Sequence, residues 1–104
     1  MYAHVTLLEV DMLRIEVDDA VALYERDILP TLQEQEEYAG AVVLGTSEGK
    51  GLILTLWESE AAAAHHTDYA IGELERLATL FRAPPGRESY RVLSIDLPRV
   101  PALP

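Results

Sequence analysis

Aromatic and imidazole side chains are the residues of this chain that could do chemistry. Trp57 is the only tryptophan, and His65 and His66 follow it within ten residues. A tryptophan can wall a pocket for a planar aromatic molecule, and a histidine has a pKa suited to a general base. We therefore predict a site in which His66 and His4 are the candidate catalytic bases. Trp57, Tyr24 and His65 are the candidate substrate-binding residues.

Each of these residues also has a purely structural interpretation, which the sequence leaves open. Trp57 could pack a sheet against a helix, Tyr24 could be a core residue with a satisfied hydroxyl, and the histidines could be ordinary helix or core side chains. Adjacent histidines point about 100° apart on a helix, whereas a metal-binding helix carries them four residues apart, so we expect no metal. Nothing in the sequence resembles a Ser/His/Asp triad or a phosphate-binding loop.

The composition limits the partners that the chain could have. Its 104 residues suffice for one domain, and about half of them are hydrophobic, which is enough for a core. The net charge of −10 makes nucleic acids and anionic membranes poor partners. There is no cysteine, which excludes disulfides and thiolate catalysis. The start of the chain lacks the features of a signal peptide, so we expect a cytoplasmic protein.

A buried strand that leads directly into a helix organises the sequence. Residues 52–57 (LILTLW) are apolar on both faces apart from Thr55. Ser59 is a suitable N-cap because its hydroxyl can accept a backbone N–H of the first helical turn. Glu60 follows in that turn, where the helix dipole favours negative charge, and four alanines promote the helix.

The other elements are predicted from periodicity and turn residues. They are, in order, a strand at Ala3–Val10, a helix from Asp18 or Asp19 to Tyr38, a strand at Ala41–Thr46, a hairpin turn at Ser47–Gly51, a helix after Ser59 that falters near Thr67 and Asp68 and reaches Phe81, and a strand at Glu88–Leu97. Pro30 lacks a backbone donor, so we expect a kink within one helix. Residues 1–97 would form the domain, and 98–104 a proline-rich tail.

This order of elements, βαββαβ, is typical of the ferredoxin-like α+β fold with one antiparallel sheet. Right-handed crossovers place both helices on the same face of the sheet. Strands two and three are nevertheless apolar on both faces, whereas a sheet with one wet face should alternate apolar and polar residues. We therefore predict a homodimer, in which a second copy covers the other face and closes an eight-stranded dimeric α+β barrel.

Several segments of the chain together resemble a known family. They are Ile28–Leu32 late in the first helix, Tyr38–Leu44 leading through strand two, Leu56–Ala61 at the exit of strand three, and Ala83–Pro85 before Tyr90 and Val92. In this order and spacing, over nearly the whole length, the chain resembles the antibiotic-biosynthesis-monooxygenase type of dimeric α+β barrel.

The resemblance implies a fold more strongly than an activity. The family includes oxygenases that use no metal or flavin and act on phenolic polyketides, haem-degrading monooxygenases, and members without an assigned reaction. Anthrone-oxidising relatives carry an asparagine and a tyrosine where this chain has Ile53 and Ala63. The haem-degrading branch has an asparagine, a tryptophan and a histidine at positions nearest His4, His66 and Arg76 here. The haem ligand is therefore absent, and we expect no cofactor.

Two functions from different classes follow from this resemblance. The first is a cofactor-independent monooxygenase that acts on a small aromatic or polyketide-like molecule. The second is a non-catalytic binding or stress-response module with the same barrel. Ile53 and Ala63, in place of the asparagine and tyrosine, favour the second, whereas Trp57 and the nearby histidines leave the first open.

Overall fold

One antiparallel sheet with helices on one side forms the framework of the structure, a computed structural model. It describes residues 1–98, 100 and 103, and the side chains of all of these except 67, 68, 70, 71 and 74. The elements are β1 (Tyr2–Glu9), α1 (Val17–Asp27), α2 (Leu29–Gln33), β2 (Tyr38–Gly45), β3 (Lys50–Trp57), α3 (Glu60–Arg76), a 3₁₀ turn (Ala78–Leu80) and β4 (Gly86–Arg91). The strand order is β2-β3-β1-β4, which confirms the predicted ferredoxin-like α+β fold.

The pairing register assigns every residue of the sheet to one of two faces. Side chains alternate along a strand, and directly paired residues lie on the same face. One face carries the pairs Tyr2 with Trp57, His4 with Thr55, and Thr6 with Ile53. The other carries the pairs Ala3 with Leu56, Val5 with Leu54, and Leu7 with Leu52. We call the first the helix face and the second the open face.

The hydrophobic core lies between the helix face and the helices. Its buried members are Tyr24, Ile28, Leu32, Trp57, Ala62 and Ala63. The two alanines let the backbone of α3 approach β3 closely, because their side chains occupy little space between helix and sheet. Trp57 is the largest fully buried side chain and joins the three helices to the sheet at this point.

The junction of β3 and α3 has the predicted local structure. The backbone N–H of Ala62 donates to the hydroxyl oxygen of Ser59 over 3.2 Å, which confirms Ser59 as the N-cap. The Ser59 hydroxyl also donates to the carboxylate of Glu37 over 3.0 Å. The backbone N–H of Glu58 donates to the carbonyl of Glu37 over 2.9 Å. These bonds attach the start of α3 to the segment that enters β2.

The first helical region differs from the prediction. Instead of one kinked helix there are two, α1 and α2, with Ile28 between them. Pro30 lies in the first turn of α2, where its missing N–H costs no hydrogen bond and its fixed φ suits a new helix. Tyr38 begins β2 and does not end a helix, and Glu37 before it adopts a left-handed φ of 67°.

The second half of the chain differs in three boundaries. The backbone of α3 continues through residues 67 and 68, so the predicted interruption is wrong. The helix ends at Arg76, and Phe81 instead forms an isolated bridge with Val10. β4 ends at Arg91, six residues before the predicted end, and Arg91 pairs with Tyr2, the first residue of β1. Of the predicted tail, residues 99, 101, 102 and 104 lie outside the described residues.

The open face of the sheet is largely apolar, and although Ala3 and Leu56 on it are buried, several of its large side chains are exposed. Its exposed large side chains are Leu7 at 55%, Val42 at 42%, Leu44 at 56% and Tyr90 at 49% relative accessibility. Leu52 and Leu54 lie between them and are half-buried. Charged residues also occur on this face, since Glu88 pairs with Val5 and Glu9 with Lys50. Exposed apolar side chains clustered in this way are typical of an interface and not of a solvated sheet.

Candidate functional site

A small cavity lies between the helix face of the sheet and the helices. The centre of a water molecule can occupy about 30 Å³ of it. That space suffices for an ordered water but not for an aromatic ring. The sheet side of its wall consists of His4, Thr6, Ile53, Thr55 and Trp57, and the helix side of Tyr24, Ile28, Leu32, Ala63 and His66.

The fold brings four of the five candidate residues to this one cavity. His4 and Trp57 reach it from neighbouring strands, while Tyr24 and His66 reach it from α1 and α3. His65 is exposed and does not line the cavity, although its ring meets the ring of His66 edge-on at 4.8 Å between centroids. The roles of all five residues in binding or catalysis stay predictions.

Trp57 lines the cavity, and its indole N–H already has a hydrogen-bond acceptor in the protein. The side chain is 1% exposed, and its indole N–H donates to the Thr55 hydroxyl oxygen over 2.9 Å. The Tyr38 ring packs against it edge-on at 5.6 Å, and the His66 ring stacks on it at 4.4 Å with 20° between the planes. Trp57 can therefore offer a ligand a ring surface, and His66 covers part of that surface.

His66 lies between the cavity and solvent. Its side chain is half-buried, whereas every other wall residue except Ile53 is buried. Burial lowers the pKa of His66 below 6.5, with a further lowering from neighbouring His65 and a smaller opposing effect of Glu37. The imidazole is therefore neutral at pH 7 and can accept a proton.

His4 lies deep in the sheet side of the wall. It is 6% exposed, and its Nδ1 is 3.4 Å from the Ser89 hydroxyl oxygen on β4. Burial lowers the pKa of His4, and the positive charge of Arg87 lowers it further. Like His66, it is a neutral imidazole at pH 7, but solvent reaches it much less.

Tyr24 contributes a buried hydroxyl group from the helix side. The residue is 7% exposed, and its hydroxyl oxygen has no hydrogen-bond partner among the described residues. Burial raises the pKa of Tyr24 to about 12, with smaller contributions from Tyr38 and Glu25. The hydroxyl stays protonated at neutral pH and is available as a donor.

Sequence reasoning did not name several wall residues as members of the site, although their spacing gave a detectable signal. Thr6 follows His4 by two residues on β1, and Thr55 precedes Trp57 by two on β3. Because side chains two apart on a strand share a face, the strand period alone could have found both threonines. Ile28 and Leu32 follow Tyr24 by four and eight residues, so the helical spacing places them on the same face, with Ile28 at the break and Leu32 in α2.

Metal sites and membrane-spanning helices were both sought in the described part of the chain. Within the described part of the chain, no three His, Cys, Asp or Glu side chains come together as a metal site would require. No helix in that part is long and apolar enough to cross a membrane.

Comparison with known proteins identifies the fold by structure and not by sequence. No family model matches the chain, and no curated protein does. NE2512, a protein of unknown function from Nitrosomonas europaea, has a TM-score of 0.73 at 21% identity and covers 95% of each chain.

Two matching structures are oxygenases. The monooxygenase from the gene ActVA-Orf6 of Streptomyces coelicolor, solved with nanaomycin D, has a TM-score of 0.70 at 19% identity over 94% of this chain and 92% of that one. SnoaB, a cofactor-independent oxygenase from Streptomyces nogalater, has a TM-score of 0.69 at 12% identity over 94% and 97%. The chain therefore has the fold of the antibiotic biosynthesis monooxygenase structures, as the sequence resemblance implied.

Proposed function

We propose that this protein binds a small aromatic, polyketide-like molecule in the cavity between sheet and helices and oxygenates it without metal, haem or flavin. The observation that carries the proposal is the composition of the cavity wall. An indole ring, two neutral imidazoles and a phenolic hydroxyl converge there, and the rest of the wall is apolar or threonine. The same fold occurs in a monooxygenase that was crystallised with nanaomycin D.

Binding requires the cavity to widen, because about 30 Å³ cannot hold a ring system. His66 is the wall residue that can move most easily, since it is half-buried and on the solvent side. Its displacement would uncover the face of Trp57 on which it now stacks. A planar ligand would then replace one ring-on-ring contact by another and keep Trp57 out of water.

The chemistry proposed for the bound molecule begins with a proton transfer. His66 or His4 takes a proton from a phenol or from an activated CH₂ group of the ligand, since both imidazoles are neutral at pH 7. The resulting electron-rich anion reduces dioxygen directly, as the resemblance to cofactor-independent oxygenases implies. For a CH₂ group, one oxygen atom becomes a ketone and the other leaves as water with the two hydrogens.

Binding without catalysis is the second candidate, and a specific observation favours it. Ile53 and Ala63, which replace the asparagine and tyrosine of anthrone-oxidising relatives, both line the cavity. The two positions that would present polar groups to the ligand are therefore apolar here. Such a site could retain an aromatic molecule while lacking groups that assist its oxidation.

The proposal includes a homodimer. The open face exposes leucine, valine and tyrosine side chains on strands that the helices leave uncovered. A second copy of the same face is complementary to it in apolar character. We expect a total buried area well above about 1,000 Å², the range of stable interfaces.

One experiment separates the two candidate functions. Flat phenolic compounds are titrated into the protein while the emission of Trp57 is followed, and dioxygen consumption is measured with the compounds that bind. Saturable quenching with oxygen uptake that survives a chelator supports the oxygenase, and saturable quenching alone supports the binding module. An absence of saturable quenching across a broad panel would overturn both.

A further inference from the structure

A buried hydroxyl group in the cavity wall lacks a partner within the described structure. It belongs to Tyr24, which is 7% exposed. The hydroxyl oxygen of Tyr24 has no hydrogen-bond partner among the described residues. Buried polar groups of native proteins are nearly always hydrogen-bonded, because an unmade bond loses the hydration of the group without replacing it. The partner of this hydroxyl is therefore best sought outside the chain, in the cavity that Tyr24 lines.

We propose that the Tyr24 hydroxyl donates a hydrogen bond to a carbonyl oxygen of the bound aromatic molecule, and that this bond selects carbonyl-bearing rings over the same rings without oxygen. The inference rests on the proposed function, because it requires that the cavity bind an aromatic ligand. It adds a residue that determines specificity and the chemical feature that this residue recognises.

The direction of the hydrogen bond follows from the surroundings of Tyr24. A phenol far from ionisation acts as a donor, and burial together with the neighbouring Glu25 disfavours the phenolate. Two other polar groups of the wall already have partners in the protein. The Thr55 hydroxyl oxygen accepts from the Trp57 indole, and His4 Nδ1 lies near the Ser89 hydroxyl.

The position of Tyr24 makes the contact selective. It faces the cavity from α1, whereas Trp57 faces it from the sheet, so a ligand on the indole has Tyr24 on its helix side. Only a ligand with an acceptor gives the hydroxyl a partner, so such a ligand gains the worth of one hydrogen bond over its analogue without the oxygen. A hydrophobic wall alone discriminates far less between ligands of equal size.

A buried water molecule is the competing partner, since the cavity has room for one. The two explanations differ in what they predict for Tyr24→Phe. If a water bridges the hydroxyl to the protein, the substitution destabilises the unliganded protein and affects all ligands alike. If a ligand is the partner, Tyr24→Phe lowers the affinity only for ligands with a hydrogen-bond acceptor.

The test is a calorimetric titration of the full chain with 1-tetralone and tetralin, which share one skeleton and differ by a ketone oxygen. We expect Tyr24→Phe to weaken 1-tetralone binding about 3- to 10-fold, the worth of one hydrogen bond, and to leave tetralin binding unchanged. Tyr38→Phe is the matched control, because Tyr38 also contacts Trp57 but does not line the cavity. It should change neither affinity.

Each result of the titration decides the inference. A loss confined to 1-tetralone supports it, provided that the melting temperature shows Tyr24→Phe to be folded. Equal effects on the two probes, no effect on either, or a lower melting temperature with unchanged 1-tetralone affinity would overturn it and leave cavity binding intact. Failure of both probes to bind the wild-type protein would overturn the proposed function as well.

Discussion

Substitution of Leu54 by aspartate tests the role of the open face most directly. Leu54 lies in the middle of β3, paired with Val5 on one side and Val42 on the other. It is half-buried within the single chain, so much of its remaining surface is available to a second copy. The substitution should therefore affect assembly more than folding.

The loss of dimerisation free energy caused by Leu54→Asp can be estimated from the groups that a partner sheet would bury. Losing the apolar contact of one leucine costs about 1.5 kcal/mol or more, and burying an unpaired carboxylate at an interface brings the loss to at least about 3 kcal/mol per protomer. A symmetric dimer contains the substitution twice, which makes about 6 kcal/mol. Since about 1.4 kcal/mol corresponds to a tenfold change, Kd should rise roughly 10⁴-fold.

Sedimentation velocity over a range of micromolar concentrations measures this change. We expect the wild-type protein to sediment as a dimer and Leu54→Asp as a monomer. Leu13→Asp is the matched control, because Leu13 is 98% exposed in the connector after β1 and should leave the dimer intact. A monomeric wild-type protein, or a Leu54→Asp variant that dimerises like the wild type, would refute the reasoning.

Three further substitutions or conditions give measurable expectations. His4 and His66 have pKa values below those of the unfolded chain, so the unfolded state binds more protons and the melting temperature should fall as the pH drops below about 6.5. Ser59→Ala removes the N-cap of α3 and should cost about 0.5–2 kcal/mol in chemical denaturation. Gly49→Ala should cost about 1–3 kcal/mol, because φ is 92° and the new methyl carbon would lie 2.9 Å from the Val10 carbonyl oxygen.

Each of these expectations has a control within the same chain. His4→Gln should flatten the pH dependence of the melting temperature, whereas Ser47→Ala, at an exposed position with no titratable group, should not. Ser47→Ala in the exposed turn should leave stability unchanged within about 0.5 kcal/mol. Gly72→Ala should stabilise α3 by up to about 1 kcal/mol, because its methyl group meets nothing within 4 Å. Equal effects of a test variant and its control would contradict the corresponding argument.

Local signals explain why much of the fold could be predicted. β3 and the cap at Ser59 depend on residues within a few positions of each other, so their pattern is complete in the sequence. The end of β4 depends instead on where β1 begins, about ninety residues away, and no local signal contains that information. The break at Ile28 has no signal in the apolar pattern either, because Tyr24, Ile28 and Leu32 keep helical spacing across it and all belong to the core.

The residues of the site could be predicted from the sequence, but the shape of the cavity could not. The strand period and the order of elements suffice to expect His4, Trp57 and a residue of α3 near one another. The size of the cavity depends on rotamers that the sequence does not specify. His66 stacks on Trp57 and occupies space that the prediction left for a ligand. The hydrogen bond of the Trp57 indole N–H also depends on rotamers, because it forms only when the Thr55 hydroxyl oxygen lies within reach, here at 2.9 Å.

The electrostatics of the cavity restrict which substrate an oxygenase of this kind could use. The described wall contains no lysine or arginine, and both imidazoles are neutral at pH 7. The proposed proton transfer would leave one imidazolium beside the anion, but a localised anion in such a wall would still lose most of its hydration. In an oxygenase of the proposed kind, an anion that spreads its charge over fused rings would lose less, and the buried Tyr24 hydroxyl would hold its oxygen. A substrate that combines an extended ring system with a carbonyl satisfies both demands, whereas a simple phenol satisfies neither fully.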